Sequence, residues 1–173
     1  MALQNTITFK PVIGYAGQTN YTPGNSMIDS FLAQELGSTG LTNLYYGCGV
    51  FKDYTTPDPS SVRSGKTGDT AAAFAWFVAL NSYNENAPAS NSPINVDDPV
   101  GVMRVGEIFA VAHTAMTYGS PVHLIINDAD PTNIGKITSA AVSANVIDIS
   151  AYASLLDSTA TADSVVLIAV SLL

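Results

Sequence analysis

Few residues in this chain have the types and spacing to do chemistry. Gly65–Gly68 reads GKTG, the close of a phosphate-binding loop. The full motif needs a glycine at position 60, which is Ser60, and a strand before it, where TTPDPSSVR reads as loop. An exposed turn is the simpler reading. Gly24–Ile28 (GNSMI) half-matches a nucleophile elbow, but Ile28 stands where the second glycine belongs. His113 and His123 are the two histidines; they fall in different expected strands without an acidic neighbour in sequence. They read as strand residues facing solvent or a subunit contact, although a fold can still bring an Asp to either. Asp128 and Asp130 in NDADPTNIG are oxygen ligands of the type hard cations take, yet the EF-hand spacing fails. A turn capped by Asp side chains is the ordinary reading, and Asp97-Asp98-Pro99 reads as a loop. Cys48 stands alone, so it forms no internal disulfide and no zinc-ligand spacing exists; it reads as a small buried apolar residue in a strand. No catalytic residue, cofactor or metal is expected.

Aromatic residues offer a different chemistry. There are eight tyrosines and Trp76, with Tyr15, Tyr21, Tyr45, Tyr46 and Tyr54 in the first third. Rings with a polar tip are enriched at protein interfaces, and they also line carbohydrate sites. Composition favours the first use. The chain has 173 residues, enough for one domain with its own core. Charged residues make up only 12 %, against about 25 % in ordinary soluble domains. Its polar surface must therefore come from Ser, Thr, Asn and Gly, as in β-rich virion and extracellular proteins or in a protein that hides its surface in an assembly. The net charge of −8 disfavours direct contact with nucleic acid or with anionic membranes. No signal peptide is visible, and the apolar VVLIAVSLL run is far short of the about 20 residues of a spanning helix. Assembly in a cytosol is expected.

The elements that would position these residues are mostly strands. Thr6–Ile13 alternates weakly and contains Pro11, which suits an edge strand or an extended arm over residues 1–13. Residues 14–173 read as a single β-rich domain. Gly14–Asn25 is loop-like. SMIDSFLAQELG fits a short helix or a strand with Ile28, Ser30 and Leu32 on one face; the β surroundings favour strand. Leu44–Phe51 is strand-forming, with Gly47 and Gly49 marking a bulge or close backbone approach. TTPDPSSVRSGKTGDT reads as a polar loop. AAAFAWFVALNSY is again open between helix and a strand with Phe74, Trp76 and Val78 on one face. Residues 84–99 form an Asn/Pro/Ser-rich insertion too polar to pack a core. Val100–Met103, Glu107–Ala112 and Val122–Ile126 read as three strands, followed by short ones near Gly135–Thr138 and Asn145–Ile149. SVVLIAVSLL, apolar at both parities, reads as a strand covered on both faces. Strands at such spacing predict an all-β fold: a compact β-barrel or sandwich with an extended N-terminal arm and long polar loops.

The order of these features resembles the head-decoration, or structural cement, proteins of tailed bacteriophages, the Gp24-like cement family. The resemblance rests on GYAGQTN at Gly14–Asn20, on Ser30, on YYGCGV at Tyr45–Val50 and on FAWFVAL. It rests further on Val100, Val102, Arg104, Gly106, Ile108, Gly119, Val122 and Leu124, and on the closing strand. Ala110 departs from the family's Val, and the 88–99 insertion and the helical alternative at 26–36 are further departures. The resemblance covers most of the chain through order and spacing rather than through one motif. It implies a non-enzymatic virion protein on the capsid exterior. Such a protein binds the major capsid protein and itself, as homodimer or homotrimer, with no contact to nucleic acid or membrane. The residues expected at its contacts are Ile7, Phe9, Tyr15, Tyr21, Tyr45, Tyr46, Val166 and Ile168. The alternative is a carbohydrate-binding or adhesin-like β-domain using tyrosines and Trp76 as stacking platforms. A small hydrolase built on His113 and His123 has least support.

Overall fold

The computed structural model describes residues 16–20, 26–34, 44–52, 61–79, 94–158 and 161–171. The expected arm, Tyr54 and most of the 84–99 insertion lie outside the described residues. Within them the chain is all-β, with 3-10 turns at Ala71–Ala73 and Pro131–Asn133.

The spine is one long strand, β6 (Pro99–Ala112). The two strands expected at Val100–Met103 and Glu107–Ala112 are this single element. Gly106, at φ +129°, lets the backbone bend there without leaving the ladder, and Gly106 still pairs with Val170. The first half of β6 runs between β2 (Met27–Ala33) and β5 (Phe74–Ala79). Its second half runs between β1 (Thr19–Asn20) and β11 (Ser164–Val170).

The first half belongs to a closed ring. β2 pairs in parallel with β4 (Ser61–Arg63), β4 with β3 (Gly49–Lys52), β3 with β5, β5 with β6, and β6 with β2. This is a five-stranded barrel. Its interior takes side chains from every wall: Ala33, Val50, Val62, Val78, Val100 and Val102. The second half of β6 carries an open sheet. β11 pairs with β10 (Ala153–Leu155), and the end of β6 pairs with β8 (Ile137–Thr138), which leads to β7 (His123–Ile125) and β9 (Val146–Asp148). Phe51, Phe74, Phe77 and Met103, on the outer face of the barrel, pack against Ile108, Leu124, Ile137 and Ile168 of this sheet. Each such side chain contributes about 1.5–3 kcal/mol by leaving water, so this second cluster, outside the barrel interior, joins the two units.

Local chemistry explains the individual strands. The ambiguous Met27–Ala33 segment is a strand, with Ile28 and Ser30 exposed and Ala33 inside, which fits the expected Ile28/Ser30/Leu32 face. The Gly47–Gly49 reading also holds: a Cβ on Gly47 (φ +78°) would lie 2.7 Å from the Gly17 nitrogen and from the Phe109 oxygen. The strand itself begins only at Gly49, because Leu44–Cys48 form the turn into it. The expected polar loop at 55–70 contains a buried strand, β4. Arg63 makes this possible by donating twice to Asp69, at 2.7 and 2.8 Å, and by reaching the Ser64 carbonyl. Lys66 and Thr67 remain the exposed turn expected of GKTG.

In β5, Trp76 has φ +80°. This bulge breaks the two-residue alternation, so Phe74, Trp76 and Val78 do not share a face. Phe74 and Phe77 join the inter-sheet core, while Ala75 and Val78 point into the barrel. The insertion's end is less polar in effect than its composition: Ile94 is buried in the barrel cluster and donates its amide to the Leu44 carbonyl. β11 is covered on one face only. Val166, Ile168 and Val170 are buried, whereas Val165, Leu167 and Ala169 are half-buried.

Candidate interaction surface

One mouth of the barrel carries an unusual set of side chains. Asp29 lies opposite Val102 in the ladder, on the same side of β2 as Phe31 and Ala33. Arg104 shares the parity of Val102. Its Nη1 donates to Asp29 Oδ2 at 2.9 Å, and its guanidinium carbon sits 4.7 Å from the centroid of the Trp76 ring. Tyr152 meets that indole edge-on, at 6.1 Å, and the Trp76 Nε1–H donates to the Ser171 carbonyl at 3.4 Å. The positive φ of Trp76 aims the ring at this spot. Such a cation–π contact is worth about 0.5–1 kcal/mol when exposed, and a surface ion pair about 0–1. Beside this mouth Met27 and Ile28 are 44 % and 42 % exposed. Because Arg104 covers the Trp76 ring, Trp76 is not the open stacking platform a carbohydrate module needs.

A second exposed apolar group is spread over the open sheet: Tyr118 (68 %), Val142 (57 %) and Leu156 (37 %). The amide of Tyr118 donates to Ser158 Oγ at 2.7 Å, tying its turn to the loop after β10.

The residues expected at contacts divide sharply. Ile7, Phe9, Tyr15 and Tyr21 lie outside the described residues. Tyr45, Val166 and Ile168 are buried in the chain's own core, at 5 %, 2 % and 0 % exposure. Tyr45 donates its hydroxyl to the Ile134 carbonyl at 3.1 Å, and burial holds its pKa well above 10.0. The surface expected of these three at a subunit contact is therefore already covered. Tyr46 is half-buried against the barrel cluster. Sequence reasoning missed Met27, Tyr118 and the pairing of Arg104 with Trp76. The strand face through Ile28 was the one signal that pointed to the barrel mouth.

The remaining chemical candidates are structural. Cys48 is buried, which pushes its thiol up from 9.0 to about 12 and leaves it unreactive. Asp128 Oδ1 accepts from the Asp130 amide, and Asp130 Oδ1 accepts from the Thr132 amide and hydroxyl. These are turn and cap bonds, and the Thr132 bonds lower the Asp130 pKa. His123 is buried rather than solvent-facing; its Nδ1 lies 2.5 Å from the Ala140 carbonyl and its Nε2 4.0 Å from Asp148. His113 Nδ1 lies 3.8 Å from Asp163, which also receives Lys136 Nζ at 2.7 Å. Both histidines thus have an Asp within 4.0 Å: His123 faces Asp148 across the paired strands β7 and β9, and His113, just after β6, faces Asp163, just before β11. Among the described residues no three His, Cys, Asp or Glu side chains converge on a metal-sized site.

Comparison with known proteins gives these features a setting. No curated protein matches the chain in sequence. A chain of the solved capsid of Myoviridae phage XM1 shares the fold, with a TM-score of 0.64 at 19 % identity, over 98 % of this chain and 97 % of that one. The family model described as "Structural cement protein (E217 gp24/Pam3 gp6)" matches residues 3–171. The match covers nearly the whole chain: it belongs to the phage structural cement protein family.

Proposed function

We propose that the chain binds the outer surface of the icosahedral phage head and bridges neighbouring major capsid proteins there. The cement role itself follows from the family; the manner of binding is our reading. The observation that carries it is the match over nearly the whole chain to a family of structural cement proteins. Staples of this type work by multivalency: a symmetric homodimer or homotrimer engages several capsid subunits at once, raising effective affinity by roughly 10²–10⁴ over a single contact. The net charge of −8 supports contacts with protein rather than with packaged nucleic acid or membrane. Residues 1–13, through Ile7 and Phe9, would lie across a neighbouring subunit. Tyr15 and Tyr21 would add contact area beside them.

Co-sedimentation with expanded and unexpanded heads tests this reading. The full chain is expected to pellet with expanded heads and to remain soluble with unexpanded ones, while a variant lacking residues 1–12 binds more weakly and keeps its fold. Failure to bind either form would end the proposal; normal binding by the truncated chain would end the role of the arm.

A further inference from the structure

Three loops meet where β6, β8 and β10 end. β8 runs parallel to β6, and β6 and β10 both run antiparallel to β11, so the chain leaves all three strands at the same end of the open sheet. Hydrogen bonds lace the loops together. The Ser139 amide donates to Thr114 Oγ1 at 3.1 Å, the Tyr118 amide donates to Ser158 Oγ at 2.7 Å, and His123 Nδ1 lies 2.5 Å from the Ala140 carbonyl. Within the second loop the Ser143 amide donates to the Val146 carbonyl at 2.9 Å, and the Asn145 amide to Ser143 Oγ at 3.2 Å. Loops held in this way lose little freedom when something binds them. Residues 115–121, 139–145 and 156–158 are exposed apart from Met116 and Ser120. Asp157 is the one charged side chain in those three stretches. Of the five large apolar side chains exposed among the described residues, three stand here: Tyr118, Val142 and Leu156, at 68 %, 57 % and 37 %. Scattered exposed apolar residues are ordinary, but three on interlaced and nearly chargeless loops mark a contact.

We propose that this face is where two copies of the chain meet about a two-fold axis. The inference rests on the cement reading, which calls for a symmetric oligomer, and names the surface that makes one. Charge selects the occupant. Each copy carries a net charge of −8, so two copies repel wherever acids face each other, over about 10 Å at 0.1 M salt. That repulsion is least on a face with one acid in three loops, and a basic partner finds little there to pair with. The acids at its border already have partners: Asp148 accepts from the Ser150 amide at 2.8 Å, and Asp163 receives Lys136 Nζ at 2.7 Å. Shape selects the same occupant. Tyr118 stands out on a turn with Gly119 at φ +80°, and the loop SAAVSAN (Ser139–Asn145) is bonded to the root of that turn at Thr114. A rotation of 180° can set each tyrosine on the other copy's loop, so that one contact is made twice, as an isologous interface requires. The three loops approach the about 20–30 residues a side of a stable interface, and Tyr is among the residues enriched there. Because the face lies beyond Ala112, at the end of β6 away from the barrel, both barrels of the pair stay free for the shell.

The test uses the full chain in light scattering and sedimentation equilibrium, with head co-sedimentation beside them. Tyr118→Glu and Ala141→Glu each place an acid on the proposed axis without touching the core. Ile28→Glu, at the barrel mouth, is the control. The expected result is a parent dimer, at least tenfold weaker association for the two face variants with unchanged circular dichroism, and parent-like association for Ile28→Glu. Hydrogen exchange at the parent's amides in 117–119 and 140–145 should slow as the chain is concentrated, a readout that needs no variant to fold. Face variants that associate within twofold of the parent, or amides that exchange alike in dilute and concentrated parent, overturn the face. A parent still monomeric at about 0.1 mM, where a micromolar self-contact is saturated, overturns the second copy; loss of head binding by Tyr118→Glu would then assign the face to a capsid subunit. A parent trimer overturns the two-fold. A parent dimer that the face variants dissociate but that binds no heads upholds the face and ends the cement reading instead.

Discussion

Single residues in this protein decide how its strands close. Arg63 and Asp69 show how: both side chains are 6 % exposed and joined by two hydrogen bonds, so a strand can carry an arginine through the barrel wall. Removing one partner of such a pair is far costlier than its net contribution, because the other is left buried and unpaired. Cys48 is the clearest case for measurement. Its thiol is raised from 9.0 to about 12, chiefly by burial. In the unfolded chain it ionises near 9.0, so the stability it contributes is complete below pH 9 and is lost as pH rises from 9 toward 12. Urea denaturation across that window should show stability falling by up to about 1.4 kcal/mol per pH unit from this group, with a shallower fall in Cys48→Ala. Tyr45, raised in the same sense from 10.0, steepens both curves. A thiol reagent at pH 8 should leave the folded chain unlabelled; rapid labelling would show that the turn at Leu44–Cys48 opens.

At the scale of elements, β6 decides the architecture. Half of it walls a barrel and half backs an open sheet, and the change of role falls at Gly106. A side chain there would have to adopt φ +129° and would lie 3.2–3.3 Å from Ser26 Cβ and from the Sδ and Cε of Met103. Gly106→Ala is therefore expected to cost about 1–3 kcal/mol, read as a shift in the denaturation midpoint at unchanged slope. An unchanged midpoint would mean that the bend does not depend on glycine. The sequence reading saw this glycine as the gap between two strands. It recognised the right residue and gave it the wrong consequence, since a glycine can bend a strand as well as end one. The bulge at Trp76 went unread for a related reason: alternation is a property of an undistorted strand, and nothing local announces that one residue will take a left-handed φ.

For the whole molecule, low charge is the governing property. Binding that rests on main-chain bonds and apolar cover gains little from Coulomb attraction, and what it gains is screened within about 10 Å at 0.1 M salt. Head binding should accordingly change by less than about threefold between 0.05 and 0.5 M NaCl, where binding built on several ion pairs loses orders of magnitude. Sedimentation across that range decides between them, and steep salt dependence would place the contact on the carboxylates of the surface.

By itself the sequence determined the fold class and the family, because composition, strand-forming runs and the order of glycines are properties of short stretches. It determined most strand positions, including Met27–Ala33 against a helical alternative. Only the tertiary structure decided which tyrosines and valines are core. Tyr45, Val166 and Ile168 have the same local appearance as surface contact residues, and their burial depends on which strand lies opposite. It also decided that β2 closes a ring by pairing with β4 on one side and β6 on the other. Pairing between strands far apart in the chain is set by the packing of two cores at once, and no window of residues contains that information.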